Sequence, residues 1–165
     1  MIRRFLTPAL TCALLGTASL AMADTMIKDV DVSLDMSAIQ NPKAAEHLTT
    51  VAGDLKEAIV ARLTDKIAPE GSDGAKISVD IDEVELASTL DAVHGLAESK
   101  LVGKVAITSE TDNSAFDAFD LAVSFDQAVI YLPEGTDPTL LTIDSPLYYH
   151  SMVEAFAQAV ADKID

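Results

Sequence analysis

The chain has 165 residues, 27 acidic against 11 basic side chains, a formal charge of −16, 49% hydrophobic residues, no Trp and one Cys. That length holds one domain. The negative charge argues against a surface that tracks nucleic-acid phosphates, the apolar content against a disordered acidic tail, and the single Cys against a disulfide framework or a Cys-rich zinc site.

Residues 1–23 read MIRRFLTPALTCALLGTASLAMA. Arg3 and Arg4 supply a positive start, Phe5 to Leu20 is uncharged and apolar or small, and Ala21-Met22-Ala23 offers small residues where a signal peptidase inspects the chain. The pattern predicts a secretory signal peptide cleaved after Ala23. As a retained membrane anchor the apolar run is short, and Pro8 and Gly16 interrupt it. Cys12 follows Thr11, which suits a lipobox poorly, so Cys12 is read as a passenger in the apolar run. Cleavage leaves residues 24–165 as a single domain of 142 residues without cysteine, with nine basic and 27 acidic side chains. Such a charge keeps an exported domain soluble by self-repulsion.

Residues 27–36 alternate. Val30, Val32, Leu34 and Met36 share one face, with Ile27 offset, while Asp29, Asp31, Ser33 and Asp35 share the other. Period two predicts a half-buried strand whose aspartates face water and guard it against edge pairing. Asn41-Pro42 opens a helix. Its stripe runs through Leu48, Val51, Ala52, Leu55, Ile59, Leu63 and Ile67, with Asp54, Lys56, Glu57 and Arg62 on the other face. Pro69, Gly71 and Gly74 end it. Gly53 weakens its middle by about 1 kcal/mol relative to Ala, and close packing there is the expected compensation.

Residues 76–86 form the second strand, with Ile77, Val79 and Ile81 inward and Ser78, Asp80 and Asp82 outward. The phase slips before Val84 and Leu86, which predicts a β-bulge near Asp82-Glu83. Residues 87–99 read as a loop. Residues 101–109 make a third strand and 116–126 a fourth, with Phe119, Leu121, Val123 and Phe125 inward. Ala128 to Leu132 is expected to extend this hairpin or to form a short edge strand, and Pro133 to Asp144 is a loop. Ser145-Pro146 opens a last helix with Tyr149, Met152, Val153, Phe156, Val160 and Ile164 on its stripe.

The order is β-α-β-β-β-α. A helix between the first two strands implies parallel pairing, and the later strands follow as an antiparallel meander. Each strand is apolar on one face only. The expected fold is therefore an α+β two-layer sandwich, with a mixed, mostly antiparallel sheet of four to five strands and both helices on one face.

For chemistry, His47, His94 and His150 have no second His or Cys at a ligand spacing, and there is neither an HExxH nor a GxSxG motif. They are read as surface histidines. The outward carboxylates Asp29, Asp31, Asp80, Asp82 and Asp120 form a candidate face for a divalent cation, which wants six to eight oxygens. No calcium loop is present, and strand carboxylates spaced two apart ordinarily stand in solvent. Tyr149 and Phe156 are read as core. Tyr148 falls off the stripe and is the candidate partner-surface residue, since Tyr suits interfaces.

The succession DVDVSLD, long helix, KISVDIDEVEL, LVGKVAIT, FDLAVSFD and closing helix resembles small exported bacterial α+β domains. Among them are the amino-terminal domain of the Tol-system periplasmic protein, several uncharacterised envelope lipoprotein families and the outer-membrane activators of cell-wall synthases. The resemblance spans most of residues 26–164. It implies an envelope-located domain that binds proteins and is not an enzyme. The expectation is thus a periplasmic binding or assembly module contacting another envelope protein. It needs no cofactor, binds no nucleic acid and has no stable membrane insertion after signal cleavage. The alternative is a binder of small ligands or divalent cations on the Asp-rich strands.

Overall fold

A computed structural model describes residues 26–34, 50–85, 99–109, 117–142 and 145–164, with 82–85 as backbone only. The signal-peptide, Cys12, His47 and His94 readings lie outside these residues, as do the start of the first helix and the 87–98 loop. Among the described residues, strands β1 (Ile27–Leu34), β2 (Ala75–Glu85), β3 (Lys100–Ser109) and β4 (Asp117–Ser124) form one sheet in the order β1-β2-β3-β4. β1 is parallel to β2, and the other pairs are antiparallel. The long helices are α1 (Val51–Arg62) and α3 (Pro146–Ala161). This is the expected α+β sandwich with the expected pairing.

The offset of Ile27 has a local cause. The register shifts between Ile27 and Asp29, so a bulge at Lys28 returns Ile27 to the core face. Ile27 and Val30 are both buried despite their spacing of three. Gly74 makes room for this kink: a Cβ there would lie 2.9 Å from both Lys28 N and Met26 O. A second shift falls between Ile81 and Glu83, where the phase slip placed it.

One core fills the space between sheet and helices. Ile77, Val79, Ile81, Leu101, Val105 and Val123 supply it from the strands, and Val51, Leu55, Ile59, Met152, Phe156 and Val160 from the helices. The α1 stripe matches its periodicity as far as Leu63. The chain then tightens into a 3-10 turn (Thr64–Lys66), and Ile67 bridges to Ile27 beside β1 instead of continuing the helix.

Two expectations fail here. Residues 125–131 are helical, not strand: α2 (Phe125–Ala128) runs into a 3-10 turn (Val129–Tyr131). Ser124 and Gln127 form a capping box, in which Gln127 Oε1 accepts from the Ser124 N–H (2.9 Å) and hydroxyl (3.2 Å). That pairing turns the chain while Phe125 stays buried. Gly53 is the other case. It is exposed, and nothing lies within 4 Å of a Cβ built on it, so it packs against nothing. Gly53→Ala is therefore expected to stabilise the fold by about 0.5–1 kcal/mol, read as a higher denaturation midpoint at unchanged m. A lower midpoint would show that the position is contacted.

Candidate functional site

The strand registers set the composition of the outer sheet face. Asp29 and Asp31 on β1 stand beside Lys76 and Ser78 on β2. Asp80 pairs with Lys104, and Lys104 with Asp120. Asp29, Asp31, Asp80 and Asp120 are all exposed on this face; Asp82 sits at the bulge. The carboxylates do not converge, because lysines stand between them. Lys76 Nζ is 3.7 Å from Asp29 Oδ2 and 3.5 Å from Asp31 Oδ2. Asp80 accepts a hydrogen bond from the Ser33 hydroxyl at 3.1 Å. Among the described residues no group of three or more His, Cys, Asp or Glu is placed to hold a metal ion. The face is a mixed-sign surface, as its alternation of Asp with Lys76 and Lys104 allows.

Tyr148 is 1% exposed, so it is not a partner-surface residue. Its ring packs on Phe125, with centroids 5.0 Å apart and planes at 56°. The buried arc of α3 is wider than its large-residue stripe because Ser151 and Ala155, small and buried, lie three and seven positions on from Tyr148. α2 covers that side. Burial pushes the Tyr148 phenol up from its ordinary pKa, with Ser99, also buried, pulling it back. The contact from Ser99 to the Tyr148 Oη is too poorly aligned to be a well-formed hydrogen bond, and the Oη has no other partner. A buried unpaired hydroxyl is destabilising. Tyr148→Phe is expected to leave stability unchanged or raise it by about 1 kcal/mol in urea unfolding. A loss of that size would mean that the hydroxyl holds a partner.

A polar seam joins α1 to α3, built from two residues the helix periodicity put on the outer face of α1. Arg62 Nη2 meets Glu154 Oε2 at 2.5 Å, its Nε donates to Gln158 Oε1 at 3.0 Å, and its guanidinium lies 5.9 Å from the centre of the Tyr131 ring. One side chain thereby ties together α1, α3 and the turn after α2. Nearer the start of α3, the Tyr149 hydroxyl donates to Asp54 Oδ2 at 2.5 Å. Desolvation and this bond push the Tyr149 phenol up to about 12, with a Thr50 hydrogen bond opposing them. The folded state thus holds the neutral phenol more tightly than the unfolded chain does. That contribution is whole below pH 10 and is lost as pH rises through about 12. Tyr149→Phe is expected to flatten the alkaline fall in stability between those values. An unchanged fall would assign it to other groups. His150 is exposed, with Nε2 3.9 Å from Glu154 Oε1.

The two sheet edges differ. β1 carries a bulge at Lys28, a bridge to Ile67 at its start and the exposed Asp29 and Asp31. β4 pairs with β3 without interruption from Lys100↔Ser124 to Ile107↔Asp117. Its outer face shows Ala118, Asp120 and Ala122, all exposed, and its inward Phe119 and Leu121 are half-buried.

No helix among the described residues is long and apolar enough to cross a membrane. No family model and no curated protein matches the chain. Among solved structures it is similar to a PelC dodecamer protein from Paraburkholderia phytofirmans, at 9% identity over 85% of this chain and 88% of that one, TM-score 0.49. It is also similar to a Xanthomonas campestris protein of the DUF330 family, at 13% identity over 85% of this chain and 81% of that one, TM-score 0.47.

Proposed function

We propose that the chain is an exported, non-catalytic binding module of the bacterial cell envelope that takes an extended segment of another envelope protein onto the edge of β4. The unbroken ladder of β4 carries this reading. Among the described residues β4 is the outermost strand on its side, eight residues long and free of bulges. Strand addition draws affinity from main-chain hydrogen bonds and needs such a regular template. β1 is a worse template, bulged at Lys28 and bridged to Ile67 at Ile27. The three-part pattern of residues 1–23 supports export.

Photo-cross-linkers placed in cells at Ala118 and Ala122, beside the edge, and at Lys56 and Glu57, on the exposed face of α1, test this. The expected result is one discrete adduct from the β4 positions and none from α1. No adduct at β4, or equal adducts at both, overturns it. The cation-binding alternative makes the opposite thermal prediction, since a ligand of the native state raises the melting midpoint. With Lys76 already between Asp29 and Asp31, millimolar calcium is expected to leave the midpoint where it is. A rise would favour the alternative.

A further inference from the structure

A strand added beside β4 meets two faces, because side chains alternate and opposed residues of paired strands point the same way. On the inward face Phe119 and Leu121 are half-buried, whereas Val105 and Gly103, their partners on β3, are buried. Apolar area is thus uncovered one strand out from β3, where the sheet ends. Lys163, in the turn after α3, stands over this area, with its Nζ 5.7 Å from the centre of the Phe119 ring. The turn is fixed by the Lys163 N–H, which donates to Val160 O (3.1 Å), and by the Ile164 N–H, which donates to Ala161 O (2.9 Å). On the outward face, one residue on from Phe119, stands the exposed Asp120.

Among the described residues neither Lys163 nor Asp120 makes an ion pair. Adjacent residues of one edge therefore present a cation on the inward face and a carboxylate on the outward face. The complement is a strand with the opposite charges on the opposite faces. A second copy of this chain does not supply it. β4 of a copy carries Phe119, Leu121 and Val123 inward and Ala118, Asp120 and Ala122 outward, so it brings no carboxylate to Lys163 and no cation to Asp120. β1 of a copy brings Asp29 and Asp31 on its outward face, which are like charges to Asp120.

We infer that the β4 edge selects a mixed-charge alternating segment of a different protein, with an apolar residue opposite Leu121, a lysine or arginine opposite Asp120 and a glutamate or aspartate opposite Phe119, beside Lys163. The segment runs antiparallel to β4, which continues the β2-β3-β4 meander and gives the slightly stronger ladder. This rests on the edge reading and adds the chemistry of the partner to it. Read from its amino end, the segment is apolar, then basic, then acidic.

The test uses two end-capped peptides of identical composition and net charge, Thr-Val-Thr-Leu-Lys-Glu-Thr-Val-Thr and the same peptide with Lys and Glu exchanged. Binding to the purified chain is followed by amide NMR shifts. The Leu-Lys-Glu peptide is expected to shift amides of 117–124 and to bind about fivefold or more tightly than the exchanged one, since two cross-strand charge pairs change sign between them. The preference is expected to shrink as salt rises. In the double variant Asp120→Lys, Lys163→Glu it is expected to reverse. Both positions are exposed, so the variant keeps the fold, and its melting midpoint checks this. Equal shifts of 117–124 by the two peptides, or no reversal in the variant, would overturn this inference and leave the edge reading standing. No shift there from either peptide would overturn both. Shifts of 117–124 that appear on concentrating the chain without peptide would assign the edge to a second copy and overturn the inference.

Discussion

Phe156→Ala is expected to cost about 3–5 kcal/mol of folding stability. Phe156 is fully buried in the middle of α3, among the largest such side chains in the core. Its ring reaches across to the sheet at Gly103, where Cζ would lie 3.4 Å from a Cβ built on the glycine. The wall there is the sheet backbone at Gly103 with the Ile81 methyl beside it, and of these only the methyl can move in to fill part of a void. The high end of the range is therefore the expected one. Phe156→Leu, which keeps most of the volume, should cost only about 1–2 kcal/mol. Domains are stable by about 5–15 kcal/mol, so the alanine variant stands close to unfolding at ordinary temperature. Urea denaturation checks this through the shift in midpoint at constant m. A loss below about 1.5 kcal/mol would mean that the site collapses, contrary to the packing of the ring on the sheet.

Much of the fold was legible because period two and period 3.6 each leave a mark that survives without tertiary information. The alternation of Ile77, Val79 and Ile81 against Ser78 and Asp80 is reproduced in the burial of β2. The phase slip after Ile81 appears as the register shift there. The misreadings concern residues whose environment another element decides. Tyr148 falls off the stripe of large residues, and only the packing of α2 on that side of α3 buries it. Ala128 to Leu132 has a strand-like composition, yet the capping box of Ser124 and Gln127 turns the chain just before it. The S-x-x-Q spacing was the available signal. Gly53 has nothing around it, a fact that depends on which way α1 faces.

The candidate surfaces were less legible than the core for the same reason. The row of aspartates is plain in the sequence, and so are Lys76 and Lys104. That the lysines lie between the carboxylates depends on strand order and register, which no single segment encodes. Arg62 and Asp54 look like solvated helix residues on the α1 periodicity alone. They become a seam only when α3 lies alongside. The contrast between the β1 and β4 edges likewise comes from the bridge at Ile67 and the bulge at Lys28, both products of assembly.

Gly103→Ala is the second large effect, expected to cost about 1–3 kcal/mol from a single added methyl group. Gly103 lies on the inward face of β3, buried, in register with Ile81 just before the β2 bulge. A Cβ there would come within 2.9 Å of Asp80 O and 2.9 Å of Ile81 Cδ1. The isoleucine methyl can rotate away. The carbonyl cannot, because it belongs to a strand held on both sides, by β1 and by β3. The contact with backbone therefore decides the sign, and the contact with Phe156 at 3.4 Å is secondary. This ordering has a consequence for the pair. If the Phe156 ring were the obstacle, Phe156→Ala would make room and rescue Gly103→Ala. Since the obstacle is the Asp80 carbonyl, the double variant should lose nearly the sum of the single losses, with a coupling of about 0.5 kcal/mol or less. Contact between the residues makes a larger coupling possible in principle, so the cycle discriminates. A double variant no less stable than Phe156→Ala alone would show that the ring, and not the strand, sets the limit on residue size at position 103.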